Sequence, residues 1–258
     1  MSFDADLNAC AALVERADPS RFRAAMAAPV AARRVLFPLY AFNVEVARAP
    51  WVTQEAMIAE MRLQWWRDVC EEIEQGGPVR RHEVATPLAR EIGPEDAALL
   101  DELAAARRWD IYRDAFEDDA HFDRYIDQTS GNLTWVAARR LGVADELVIR
   151  DAAYAAGVAT WLRAIPELEA RNRVPLLDGT PEGVAALAQR ALDRLARARK
   201  GRARVSKPAA QALWHIGQAD AVLKAAARNP GRVGRGQLPD PAQADRGWLG
   251  WRVVTGRW

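Results

Sequence analysis

The stretch Tyr40–Asp68, YAFNVEVARAPWVTQEAMIAEMRLQWWRD, decides the fold of this 258-residue chain. Apolar side chains recur every three to four residues on both sides of Pro50, which is the spacing of amphipathic helices. Proline ends or kinks a helix because it lacks a backbone N–H. The stretch therefore predicts two helices that meet near Pro50, the second of which carries Gln64, Trp65 and Trp66.

The composition indicates a globular protein without a strong overall charge. Lys+Arg total 36 and Asp+Glu total 35, so no general field favours nucleic-acid binding. Cys10 and Cys70 are far apart and belong to no CxxC pattern, which predicts neither a zinc site nor a disulfide scaffold. The N-terminus MSFDADLNAC lacks the features of a signal peptide, and no apolar run approaches the ~18 residues of a membrane span. We expect a cytoplasmic protein, and peripheral contact with the inner membrane stays open.

Helical periodicity runs through nearly the whole chain, and no alternation of Val, Ile and Thr predicts a strand. We therefore expect one all-α domain over residues 1–258. Pro38 is expected to kink its helix, and both Thr86-Pro87 and Thr180-Pro181 resemble an N-cap followed by a first-turn proline. Helices are expected at about 4–17, 19–28, 31–49, 53–75, 94–116, 120–141, 145–165, 180–199 and 207–228, followed by a flexible loop at 229–243 and a docked C-terminal segment.

Several motifs follow one another in a characteristic order: DPSRF at 18–22, LQWWRD at 63–68, YIDQTSGNL at 125–133 and GVATWLRAIP at 157–166. In this order the chain resembles the squalene/phytoene synthase family. The resemblance implies an isoprenoid-synthase-type helical bundle around a central cavity. It also implies head-to-head joining of two isoprenyl diphosphates, with Mg²⁺ held between two aspartate-rich helices. Carboxylates four residues apart share one helical face, and Mg²⁺ prefers oxygen ligands.

The first aspartate motif of the family has no counterpart here. When Tyr40-Ala41-Phe42 is set against YAFCRxxDDxxD, the three aspartates fall on Ala47, Arg48 and Trp51. Glu45 is the one carboxylate nearby, and Arg48 places a positive charge where a dication would bind.

The second motif is lost as well. When Leu162-Arg163 is set against NxxxDxxxD, the asparagine and the two aspartates fall on Thr160, Ala164 and Leu168. Glu167 alone is left near this set. We therefore expect no catalytic residue, no metal and no cofactor.

FNVEVAR, MRLQWWRD and GVATWLRAIP also resemble a narrower, non-catalytic branch of the family. That branch includes an assembly factor of mitochondrial respiratory complex I and related bacterial proteins. The resemblance implies a fold that is kept without its chemistry, and a protein partner or an apolar, isoprenoid ligand. The leading hypothesis is therefore a non-catalytic protein that binds a ligand or partner and aids assembly of a respiratory complex.

A ligand-binding cavity is expected between the two helices. Arg163 and Arg173 match basic positions of the family, and each is either a phosphate contact or a partner of Glu167 or Glu169. Four tryptophans, Trp65, Trp66, Trp135 and Trp161, either line this cavity or belong to the core. The candidate ligand-binding residues are Tyr40, Asn43, Glu45, Arg48, Gln64, Gly131, Thr160, Arg163, Glu167 and Arg173.

Two other functions stay open. An isoprenyl diphosphate transferase could use a displaced Mg²⁺ site, formed either by Glu45 with Glu167 or by the acidic cluster 119–127. Against the second option, Asp118 and Asp119 are suited to cap a helix, which leaves the later aspartates as ordinary surface positions. A surface-binding module could instead bind anionic lipid through the basic segment 190–207. We favour a solvated helix face for that segment.

Overall fold

The computed structural model describes residues 5–240 and Trp258, apart from the side chain of Gln218. These residues contain helices and no strand, which confirms the all-α prediction. None of the helices described there combines the length and the apolar composition needed to cross a membrane. The helices are α1 Ala5–Ala17, α2 Pro19–Ala27, α3 Val30–Arg48, α4 Ala56–Glu74, α5 Ala85–Glu91, α6 Pro94–Ala106, α7 Asp119–Ile126, α8 Asn132–Leu141, α9 Glu146–Ala170, α10 Pro181–Lys200, α11 Lys207–Ala210, α12 Ala219–Arg228 and α13 Gly231–Gly234.

Helices α3 and α9 carry much of the core. α3 packs against α1, α2, α5 and α8, while α9 packs against α8, α10 and α12. Phe37 and Phe42 of α3 and Tyr154 of α9 are fully buried. A helix that is apolar on several faces is typical of a position inside a bundle. α3 and α9 are therefore held firmly, and they are the two helices on which the family's metal motifs would lie.

Two predicted helix ends are wrong, and a third helix keeps its predicted bounds but contains an unpredicted π-helical turn. The helix predicted at 94–116 ends at Ala106, continues as a 3₁₀ turn to Asp110 and then becomes irregular. The helix predicted at 120–141 is divided by a π-helical turn at Asp127–Gly131. The helix predicted at 145–165 continues through Pro166 to Ala170. Proline removes one hydrogen bond, and buried residues on either side of it keep α9 intact.

Of the two N-caps predicted at Thr86 and Thr180, one is confirmed. Thr180 caps α10 by accepting a hydrogen bond from the Gly183 N–H at 3.1 Å. Thr86 instead lies inside α5, where its hydroxyl oxygen accepts from the His82 N–H at 3.1 Å. The loop predicted at 229–243 contains the helical turn α13, and its last residues lie outside the described part. The predicted docking segment also lies outside it, except for Trp258, which is buried.

Candidate functional site

A cavity of about 500 Å³ lies between the C-terminal end of α3 and the second half of α9. We call it the central cavity. The turn that joins α1 to α2, the 3₁₀ turn at Arg107–Asp110 and the π-helical turn complete its walls. Its lining includes Asp18, Arg21, Asn43, Ala47, Arg48, Trp51, Arg107, Asp110, Tyr125, Thr129, Ser130, Gly157, Thr160, Trp161, Ala164, Glu167, Leu168 and Arg171.

α9 approaches the π-helical turn closely at Gly157. A Cβ atom at this position would lie 2.8 Å from Ile126 Cγ2 and 2.9 Å from Ser130 Cβ. The Ser130 hydroxyl donates to the Ala153 carbonyl oxygen at 2.8 Å and ties the same two elements together. Glycine is therefore required for this wall of the central cavity to close.

All six positions of the family's metal motifs line the central cavity, but no carboxylate stands at any of them. The side chains are alkyl at Ala47, Ala164 and Leu168. The other three are the guanidinium of Arg48, the indole of Trp51 and the hydroxyl of Thr160. Mg²⁺ needs several oxygen ligands, and one hydroxyl beside a guanidinium does not supply them. The six positions do not fit the metal ions that the family fold implies.

Three carboxylates line the central cavity elsewhere, and an arginine is bonded to each. Arg21 Nη1 donates to Asp18 Oδ2 at 2.8 Å, and Arg171 Nη2 donates to Glu167 Oε1 at 2.6 Å. Although burial raises the pKa of Asp18, the charge of Arg21 and its backbone N–H outweigh burial, so this pKa is lowered. Within residues 5–240, no group of three His, Cys, Asp or Glu residues is placed to hold a metal ion. The displaced metal site therefore has no support in the described part of the chain.

The third of these carboxylates is the buried Asp110, which forms a cluster with the partly buried Arg107 and the buried Tyr125. Arg107 Nη1 donates to Asp110 Oδ2 at 3.1 Å and to the Tyr125 hydroxyl oxygen at 2.8 Å. The Tyr125 hydroxyl in turn donates to Asp110 at 2.9 Å. Burial raises the pKa of Tyr125 well above its ordinary value. The phenol therefore stays protonated and completes an internally balanced ion pair.

The structure brings four of the ten predicted ligand-binding residues into the central cavity: Asn43, Arg48, Thr160 and Glu167. Glu45 is not in its lining and forms an ion pair with Arg48 at 3.4 Å. Tyr40 is buried with the Arg21 guanidinium over its ring at 5.5 Å. Part of the predicted site therefore supports the cavity wall and does not face the cavity.

The other four lie elsewhere. Arg163 lines an adjoining pocket, 3.7 Å from Asp240. Gln64 is exposed on α4 and donates to Asp68 at 2.8 Å, outside the cavity lining. Gly131 is buried in the π-helical turn, and Arg173 lines two pockets outside the central cavity. Neither Arg163 nor Arg173 forms an ion pair with Glu167 or Glu169. Arg171 pairs with Glu167 instead.

The aspartates of the acidic cluster 119–127 form more contacts with the rest of the fold than the sequence predicted. Asp118 caps α7 by accepting from the His121 N–H at 2.7 Å, which confirms the capping prediction. Asp123 accepts from the Tyr154 hydroxyl, and Arg190 and Arg194 lie within ion-pair distance of it. The prediction that Asp123 is an ordinary surface position is therefore wrong. Asp127 likewise pairs with Arg150 at 3.0 Å.

The basic segment 190–207 is largely neutralised by aspartates. Arg197 pairs with Asp151 at 2.6 Å and Arg199 with Asp220 at 2.9 Å. Arg204 pairs with Asp145 at 2.7 Å. Cations that are already paired contribute little to an anionic-lipid surface, which agrees with the solvated helix face that we favoured.

Among the predicted tryptophans, Trp161 lines the central cavity and packs on the ring of Tyr125, with centroids 5.4 Å apart. Trp65 and Trp66 pack against each other at 4.7 Å, and Trp66 also packs on Phe42. Trp135 is half-buried against the core. The cavity interpretation therefore holds for one tryptophan, and the core interpretation holds for the others.

Sequence reasoning missed several polar residues of the central cavity. Asp18 and Arg21 lie in the quoted DPSRF motif, and Tyr125 begins YIDQTSGNL, so a signal existed for these three. Arg107 and Asp110 gave no signal, because a continuous helix at 94–116 would have placed them on its surface.

Fold and cavity together define a helical bundle of the isoprenoid-synthase type. A profile of squalene/phytoene synthases matches residues 14–176, and the chain belongs to this family. A dehydrosqualene synthase in complex with ligand superposes with a TM-score of 0.76 at 12% identity, covering 97% of this chain and 95% of that one. Squalene synthase HpnC from Alicyclobacillus acidocaldarius superposes with a TM-score of 0.72 at 15% identity, covering 91% and 95%. At these identities the likeness concerns the fold alone.

Curated relatives of the chain are named as assembly factors and not as synthases. A Drosophila melanogaster protein named NADH dehydrogenase (ubiquinone) complex I, assembly factor 6 homolog is 31% identical over 177 residues, or 65% of this chain and 53% of that protein. The human assembly factor 6 is 27% identical over 180 residues, or 64% of this chain and 51% of that protein. The chain spans about half the length of the curated relatives it matches.

Proposed function

We propose that the chain is a non-catalytic member of the squalene/phytoene synthase family that acts as a single domain and aids assembly of a respiratory complex by binding a protein partner. The observation that carries the proposal is the central cavity, where six metal-motif positions face one space without a carboxylate. Departure of a diphosphate group needs its charge to be neutralised, and Mg²⁺ ions supply this in metal-dependent phosphoryl chemistry. The names of the curated relatives support the assembly role.

A surface suited to a protein partner lies at the beginning of α4. Met57 and Met61 are 75% and 66% exposed, and residues four apart share one helical face. Tyr112, also exposed, donates its hydroxyl at 3.0 Å to Glu60, the residue before Met61 on the same helix. We call Met57, Met61 and Tyr112 the α4 face. Exposed apolar patches and methionines are typical of protein–protein interfaces.

We propose that the chain acts in the cytoplasm, beside the inner membrane, where a respiratory complex is assembled.

The first experiment tests the absence of catalysis. The purified chain is incubated with Mg²⁺ and farnesyl or geranylgeranyl diphosphate, and pyrophosphate release is measured beside an authentic squalene synthase. We expect release at the level of a protein-free blank. Steady turnover that scales with the concentration of the chain would contradict the non-catalytic part of the proposal.

The second experiment tests the assembly role. The gene is deleted in the native host, and the assembled NADH dehydrogenase complex is measured on native gels together with NADH oxidation by isolated membranes. We expect both to fall and to recover with the wild-type chain. The double variant Met57→Asp/Met61→Asp should fail to restore them, whereas the matched control Leu147→Asp, at a residue 73% exposed on α9, should succeed. An unchanged complex in the deletion strain would refute the role.

A further inference from the structure

Ile58 adds a third apolar side chain to the exposed surface at the beginning of α4. Residues three and four apart are neighbours on a helix, so Met61 is next to both Ile58 and Met57. Met57, Met61 and Ile58 are 75%, 66% and 38% exposed, whereas Ala59 and Leu63 in the same two turns are buried. The beginning of α4 therefore has one apolar side inside the fold and a second apolar side outside it.

Charged side chains of opposite sign lie at the two ends of this apolar surface. Glu55 immediately precedes α4, and Arg62 follows about two turns later. Both side chains are exposed, and in the described part of the chain neither lies within ion-pair distance of an opposite charge. Glu60, by contrast, is already bonded to Arg108 at 2.7 Å and to Tyr112 at 3.0 Å. The surface is therefore acidic at its beginning and basic at its end, and neither charge has a partner within the described fold.

A surface with this order of charges is complementary to a second copy of itself. In a two-fold symmetric contact, a residue of one copy meets a second residue of the other copy, and the reverse pair forms as well. Two α4 helices that pack antiparallel with Ile58 near the two-fold axis place Met57 of each copy against Met61 of the other. The same register places Glu55 of each copy against Arg62 of the other. One arrangement therefore pairs both the apolar and the charged side chains.

Another exposed apolar pair lacks this arrangement of charges. Val143 and Leu147, at the beginning of α9, are 81% and 73% exposed and are also four residues apart. The carboxylates between them, Asp145 and Glu146, each pair with an arginine of the same chain at 2.7 Å. Charges that are balanced inside the fold do not select a second copy. The beginning of α4 is therefore the better candidate for a symmetric contact.

We propose that the chain forms a homodimer in which α4 of one copy packs antiparallel against α4 of the other. The contact covers about two turns of each helix, whereas stable interfaces bury about 800 Å² on each partner. We therefore expect a weak dimer with a Kd of roughly 10–100 µM. The dimer covers the α4 face, so a protein partner has to displace the second copy before it binds there. This regulation rests on the proposed function, whereas the dimer itself does not.

The test is sedimentation velocity of the full chain at concentrations from about 1 to 300 µM, a range that brackets the expected Kd. We expect monomer at the lowest concentration and mostly dimer at the highest. Met57→Asp/Met61→Asp should stay monomeric throughout, because the contact would bury unpaired carboxylates. The matched control Leu147→Asp should dimerise like the wild type. A wild-type chain that stays monomeric, or a double variant that still dimerises, would overturn the proposal.

Charge reversal tests the antiparallel register. Arg62→Glu brings two carboxylates together at each end of the contact and should weaken dimerisation about tenfold at low ionic strength. Glu55→Arg should weaken it to a similar extent, because two guanidiniums then meet.

The double variant Glu55→Arg/Arg62→Glu restores opposite signs and should recover the affinity of the wild type. All four charged positions of the dimer are exposed in the monomer, so these variants should keep the fold. Undiminished dimerisation of the single variants, or a double variant as weak as they are, would refute the register and with it the proposal. Neither turnover nor complex assembly enters these measurements, so failure of the dimer is distinct from failure of the proposed function.

Discussion

Two arginines near the central cavity, the partly buried Arg107 and the buried Arg173, have opposite surroundings. Arg107 faces the central cavity and is bonded to both Asp110 and the Tyr125 hydroxyl. Arg173, in the turn after α9, donates to a carbonyl oxygen and lies against two indole rings. A buried cation with its own acid belongs to the architecture, because its charge is balanced without help. A buried cation without an acid keeps an uncompensated charge, which hydrogen bonds and aromatic rings stabilise only in part.

The largest effect that would test this comparison comes from Asp110→Ala. This variant leaves the partly buried Arg107 without its carboxylate partner, and we expect a loss of about 3 kcal/mol in the free energy of unfolding. Urea denaturation followed by circular dichroism measures it. Asp114→Ala changes an exposed carboxylate nearby and should stay within about 0.5 kcal/mol of the wild type. A small loss for Asp110→Ala would mean that Arg107 does not depend on its acid.

Tyr125→Phe is expected to have the next largest effect. It keeps the ring and leaves the pair of Arg107 and Asp110 in place, but each loses one hydrogen bond. We expect a loss of about 1–2 kcal/mol in the free energy of unfolding. Trp161 fluorescence does not report this site alone, so calorimetry is the better measurement. A loss as large as that of Asp110→Ala would show that the phenol, and not the carboxylate, balances the cluster.

The same variant should change the response to alkaline pH. Burial is the main cause that raises the pKa of Tyr125, while its ordinary value is 10.0. Above pH 10 the unfolded chain releases this proton and the folded chain keeps it, so stability is full below pH 10 and falls as the pH rises. Tyr125→Phe should flatten that fall when unfolding midpoints are compared on either side of pH 10. An unchanged slope would contradict the pKa direction.

A smaller effect on stability is expected in the turn after α9, which contains Asn172 and precedes Arg173. Asn172 has a φ of 58°, a conformation that asparagine and glycine tolerate better than alanine. We expect Asn172→Ala to lower the free energy of unfolding by about 1 kcal/mol, and Asn172→Gly to change it by only a few tenths. Thermal unfolding of the two variants side by side gives the difference. Equal stability of both would show that the turn is not strained by a Cβ.

The smallest effect is expected at Arg173 itself. Arg173→Met removes an uncompensated buried charge and keeps most of the packing, so we expect stability within about 1 kcal/mol of the wild type. A loss of about 3 kcal/mol or more would place Arg173 with Arg107, among the arginines that hold the fold together.

The sequence predicted the class of fold and part of the cavity. Asn43, Arg48, Thr160 and Glu167 reached the central cavity because each lies close to a motif position on α3 or α9. Gln64 did not, since α4 turns that side chain to solvent. The end of α6 was missed because helix-forming residues continue beyond Ala106, while tertiary packing buries Asp110 in a 3₁₀ turn. Whether the central cavity binds a ligand stays a prediction.

The sequence by itself determined that the chain is helical, that it belongs to an isoprenoid-synthase-type family, and that the metal-motif positions lack carboxylates. Periodicity and side-chain identity are local properties, so they can be read without coordinates. Only the tertiary structure decided which arginines have a carboxylate partner. Arg107 and Tyr125 are separated by 18 residues, and Arg173 and Trp109 by 64, so their contacts depend on how the helices pack. Charge balance in a buried site is a matter of distances of a few ångströms, and packing alone sets those distances.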